Sequence, residues 1–80
     1  MDDETLRLLI RRKLADGSLP TDSIPRIWGG PGDNEICDAC GELVTSDQFL
    51  MEGISKADNQ GLQLHVKCFH LWHSERDVPR

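Results

Sequence analysis

Three cysteines and three histidines are the residues of this chain whose types and spacing can do chemistry together. Cys37 and Cys40 stand in the stretch CDACGE, and His65, Cys68, His70 and His73 come later in HVKCFHLWH. A Cys-x-x-Cys spacing lets the chain turn back so that two sulfurs meet one tetrahedral ion. Gly41, directly after the second cysteine, permits a tight turn at positive φ that aims backbone N–H groups at thiolate sulfur. Such donors offset the negative charge that gathers around a thiolate-bound metal. His65 and Cys68 repeat the spacing of the first pair, and 24 residues separate Cys40 from His65. If a helix begins near Val66, these two lie at i and i+3 on one side of its first turn. His70, only two positions beyond Cys68, points elsewhere on that helix, and His73 faces away. Those two histidines remain the alternatives for a fourth ligand, or for a metal held between two chains, against the plainer role of a solvated polar face. Cys37, Cys40, His65 and Cys68 together close all four tetrahedral positions, as structural zinc sites do, whereas a catalytic zinc keeps one position for water. The expected cofactor is one structural Zn²⁺ per chain, although the ligand types alone also suit iron.

The need for such a site arises from the chain's size. Eighty residues make a single domain, 1–80, and a chain this short buries only about 60% of the surface it exposes when unfolded. Four aromatic residues, Trp28, Phe49, Phe69 and Trp72, leave the core thin. Domains near this limit commonly add a metal, disulfides or a partner. Three cysteines cannot all pair with one another, which argues against a disulfide framework. The opening Met-Asp-Asp-Glu is acidic and precedes no apolar leader. The longest apolar run, Leu8-Leu9-Ile10, is far short of the roughly 20 residues that cross a bilayer. The expected location is therefore the cytoplasm, with no membrane partner. In that reducing compartment Cys-x-x-Cys reads as a metal or redox device. A net charge of −5 gives no general attraction to nucleic acid, so any such binding needs a local basic patch.

The elements that must position these ligands can be read in order. Asp2 to Asp16 forms an amphipathic helix, within an N-terminal unit of residues 1–19. Leu6, Leu9, Ile10 and Leu14 make its apolar stripe, with acidic residues first and Arg11, Arg12 and Lys13 near the end. Gly17 suits a left-handed C′ position, with Leu19 packing back. Residues 20–35 hold three prolines and three glycines and read as an ordered but irregular connector, with Trp28 anchoring it to the next module. Residues 36–78 form that metal-binding module: the Cys37–Gly41 knuckle, Glu42-Leu43-Val44, and a turn at Thr45-Ser46-Asp47. A β-hairpin then joins Phe49–Ile54 to Leu62–Leu64 across Lys56–Gly61, with Leu50 and Ile54 on one face. A helix from Val66 to Asp77 carries Phe69 and Trp72 on one stripe and ends before Pro79. The fold class is a small α+β domain stapled by zinc.

In the order Cys-x-x-Cys-Gly, hairpin, then a helix bearing the second pair, residues 36 to 75 resemble a treble-clef zinc finger. His65-Val66-Lys67-Cys68-Phe69 is similar to the first half of a LIM domain, but where that family continues with a second Cys-x-x-Cys this sequence has His70-Leu71-Trp72-His73, so a second intact zinc site is not expected. The layout also resembles small uncharacterised bacterial proteins, a likeness that implies no activity.

The residues present no nucleophile paired with a base. Gly29-Gly30-Pro31-Gly32 shares only glycine content with a phosphate-binding loop, lacking its Gly-Lys-Ser/Thr ending. The expectation is a non-enzymatic interaction or adaptor module with an unidentified protein partner, monomeric, or dimeric through the N-terminal helix. The alternatives are a nucleic-acid-binding finger using Arg7, Arg11, Arg12, Lys13 and Arg26, and a thiol redox or metal sensor using Cys37 and Cys40.

Overall fold

The computed structural model describes residues 2–21, 24, 26–55 and 61–76. Its elements are α1 (Asp3–Asp16), β1 (Arg26–Pro31), β2 (Glu35–Ile36), β3 (Leu43–Val44), β4 (Phe49–Ile54), β5 (Gly61–His65) and α2 (Val66–Arg76). Strands β1, β4 and β5 form an antiparallel sheet in the order β1-β4-β5, while β2 and β3 pair in a separate ladder. The small α+β class is as expected. The hairpin turn at 56–60, and the helix end at Asp77 and Pro79, lie outside the described residues.

Helix α1 begins where Asp2 accepts a hydrogen bond from the Thr5 N–H at 2.8 Å, satisfying a donor the first turn leaves open. It stops at Gly17, whose φ of 85° is left-handed, and the Leu19 N–H returns to the Lys13 carbonyl at 3.1 Å. Leu6, Ile10, Leu14 and Leu19 are all buried, Leu9 is half-buried, and Leu8 is exposed. The stripe docks within its own chain, against α2.

Helix α2 returns the contact through Leu71 and Trp72. Trp72 is fully buried, and its indole N–H donates to the Pro20 carbonyl at 3.0 Å, pinning the chain that leaves α1. Phe69 lies 5.8 Å from the Trp72 ring and is half-buried. A polar clamp joins the two helices as well. Glu75 is buried and accepts from Arg7 at 2.9 Å and from Arg11. The Arg11 bond, aided by Arg7, holds its carboxyl below the usual range. A buried carboxylate is tolerated only when paired in this way.

The connector departs from expectation. Arg26–Pro31 is strand β1, paired with β4 from Arg26↔Ile54 to Pro31↔Phe49. The Gly29-Gly30-Pro31 sequence looks like punctuation, yet glycine fits beside the neighbouring Phe49 ring, and proline is accepted at the end of an edge strand. Trp28, expected to anchor the connector, stands on this edge strand opposite Glu52 and is 45% exposed. The buried aromatic anchor is Trp72 instead.

In the sheet, Met51↔Leu64 and Gly53↔Leu62 share one face, and Leu50↔His65 the other. Leu62 and Leu64 are buried, as is Leu50 on the opposite side, so core forms on both faces. Ile54 shares the face of Leu50 but is exposed at the strand end.

Candidate metal centre

The ligands come from a closed loop and from a strand-to-helix junction. The ladder Glu35↔Val44, Ile36↔Leu43 closes a loop over residues 37–42. Within it the Cys37 N–H donates to the Glu42 carbonyl and the Gly41 N–H to the Cys37 carbonyl, both at 2.9 Å. Gly41 has φ 79°, a value a side chain would strain. The second pair spans the junction where β5 ends at His65 and α2 begins at Val66, so Cys68 falls in the first helical turn.

The structure brings all four predicted ligands together. One donor atom each from Cys37, Cys40, His65 and Cys68 lies within 4.8 Å of every other. Sulfurs held about 2.3 Å from a tetrahedral zinc sit roughly 3.8 Å apart, so the spacing fits that ion with little adjustment. His70 and His73 are exposed on α2 and stay outside the cluster, His73 stacking on Phe69 at 6.3 Å.

The orientation of His65 is set by its two ring contacts. Nε2 lies 3.0 Å from the Leu43 carbonyl, and Nδ1 lies 3.4 Å from the Cys40 sulfur. A carbonyl oxygen can only accept, so Nε2 carries the proton and Nδ1 turns its lone pair toward the sulfurs. This is the outer-shell arrangement that fixes a metal-binding histidine. Nothing in the spacing of His65 pointed to Leu43 as its partner.

The three thiols are electrostatically linked. The Cys68 thiol, helped by backbone N–H groups of Cys40, His65 and Ala39, pulls Cys37 down to about 4. That same hydrogen bond to Cys37, with burial, pushes Cys68 far up, and burial raises Cys40. Ionisation of Cys37 therefore opposes ionisation of Cys40 and Cys68 beside it. A divalent ion at the centre would let all three ionise, with release of their protons. An open cleft lined by Leu6, Phe49, Val66 and Lys67 reaches Cys40 and His65, which gives an ion a way in.

Asp38 latches the knuckle to the sheet, a contact that the sequence pattern does not reveal. Its N–H donates to the Gln63 carbonyl and its carboxylate accepts from the Gln63 N–H, both at 2.8 Å. Lys13 of α1 in turn donates to the Asp38 carbonyl at 2.9 Å. Of the basic residues that could form a nucleic-acid patch, Arg7 and Arg11 hold Glu75 and Lys13 holds the knuckle.

No protein-family model, curated protein or solved structure matches the chain, so its functional reading rests on the geometry of its own residues. Among the described residues, no helix is long and apolar enough to cross a membrane.

Proposed function

We infer that this protein is a non-enzymatic interaction module of treble-clef type, folded around one structural Zn²⁺ held by Cys37, Cys40, His65 and Cys68. The observation that carries the zinc assignment is the convergence of these four donors with the His65 lone pair turned inward by Leu43. Four protein ligands fill a tetrahedral shell and leave no position for substrate or water. The metal's contribution is then to folding, and the surface does the binding. Ile36 and Leu43, cross-strand partners on the knuckle, are 57% and 49% exposed. Clustered apolar exposure of this kind supports a protein partner over a nucleic acid.

Native mass measurement with metal analysis tests the assignment on the full chain. One zinc per chain is expected, lost in His65→Ala and retained in both His70→Ala and His73→Ala. Retention of stoichiometric zinc by His65→Ala would overturn the ligand set.

A further inference from the structure

The sheet has two outer edges, and the hydrogen-bond parity of its strands shows where each one's backbone groups go. The Gly32 N–H donates to the Gln48 carbonyl at 2.9 Å, one step beyond the pair Pro31↔Phe49. A residue's N–H and C=O point to the same side of a strand, and the side alternates along it. The even-numbered residues of β1 therefore face β4, and Ile27 and Gly29 turn both backbone groups outward. The same parity, carried through β4, makes Gln63 outward on β5, where Asp38 indeed meets both its groups. No other strand among the described residues pairs with the outer edge of β1.

We propose that β1 pairs antiparallel with β1 of a second copy of this chain, about a two-fold axis through Trp28. Such an axis sets Ile27 opposite Gly29 of the mate and Gly29 opposite Ile27. Every outward donor and acceptor of these two residues is then satisfied, an isologous contact of the kind C2 dimers use. Pro31, with no N–H to offer, ends the pairing at one side and rules out an axis through Gly29, which would set Ile27 opposite it. The side chains agree with the backbone. Trp28, 45% exposed, meets its own mate across a close, non-hydrogen-bonded pair. On the opposite face Ile27, 41% exposed, comes down beside the Phe49 ring that covers the partner's Gly29. Edge strands that avoid each other carry charged side chains, prolines or bulges, and on β1 a charge and a proline stand only at the two ends, as Arg26 and Pro31. Ile27, Trp28, Gly29 and Gly30 carry no charge, and the paired register runs through them without a bulge. The apolar stripe of α1 is buried within its own chain, so β1 and not α1 supplies the contact. This goes beyond the zinc assignment and does not depend on it.

Sedimentation of the zinc-loaded chain from low- to high-micromolar concentration, with amide exchange on the same samples, tests the pairing. The expected result is a reversible dimer in which the Ile27 and Gly29 amides become protected as concentration rises. Trp28 and Gly30 amides, bonded to β4, should stay protected throughout. Trp28→Lys should weaken dimerisation by about ten-fold or more, as burial of a like-charged pair demands, while zinc content and Gly30 protection confirm that it folds. A chain that stays monomeric, with Ile27 and Gly29 exchanging fast at every concentration, would overturn the proposal and leave an extended segment of another protein as the occupant. A dimer that Trp28→Lys leaves intact would overturn it equally.

Discussion

The two edges of the sheet lie only one strand apart, yet they end in opposite ways. At β5, Asp38 takes both outward groups of Gln63, and the knuckle that carries Asp38 is folded around the metal cluster. At β1, Ile27 and Gly29 turn theirs outward with no described strand to meet them. The difference teaches that the loop carrying Cys37 and Cys40 also governs a sheet edge, through Asp38. An ion that fixed the knuckle would also close a sheet edge otherwise as available for pairing as β1. Three perturbations of rising delicacy should erode that asymmetry.

Metal removal should have the largest effect. Structural zinc binding is worth about 10–16 kcal/mol in finger peptides, comparable to the whole stability of a small domain. Chelation at neutral pH should collapse the dispersed NMR spectrum of residues 36 to 75, and the Gln63 amide should exchange as fast as that of Ile27 in the monomer. Continued protection of Gln63 in verified metal-free protein would show that the β5 edge closes without the metal.

The contrast also separates what was legible in the sequence from what was not. Cys37, Cys40, His65 and Cys68 could be read because ligand spacing is a local property, fixed by one turn and by the start of one helix. Helix α1 could be read because Asp2, the Leu6–Ile10–Leu14 stripe and Gly17 all speak for the same element. Strand β1 was not legible as a strand. Its Gly-Gly-Pro run reads as a breaker, and only the tertiary register beside Phe49 makes glycine suitable there. Glu75 and Asp38 were missed for a related reason. Each is an ordinary acidic residue until the fold places Arg7 and Arg11, or Gln63, across from it. Trp28 misled because exposure on an edge strand cannot be told from burial by residue type.

A smaller effect is expected when the latch is cut and the metal left in place. Asp38→Ala removes the acceptor for the Gln63 N–H, and an unmet, part-buried donor costs about 1–2 kcal/mol. Asp38→Asn keeps an acceptor in the same position and removes a carboxylate whose burial is itself costly, raising its pKa. It should therefore stay close to the parent in stability. Urea unfolding with zinc present should rank parent and Asp38→Asn together, above Asp38→Ala. Equal loss in both variants would mean that the carboxylate charge, and not the bond to Gln63, holds the knuckle.

The smallest change reaches the same edge from helix α1. Lys13 lies on α1, yet its ammonium donates to the carbonyl of Asp38, so the helix steadies the loop that covers β5. Lys13→Met keeps the apolar stem along the helix and deletes only the donor. A hydrogen bond from a charged group on a half-buried side chain contributes about 0.5–1 kcal/mol after solvent competition. For a domain of this size that corresponds to a fall in Tm of roughly 2–8 °C. The loss should appear first as faster exchange at Gln63, with the amides of α1 itself unchanged. If α1 loosens while Gln63 keeps its protection, Lys13 serves its own helix and the two sides of the latch are independent.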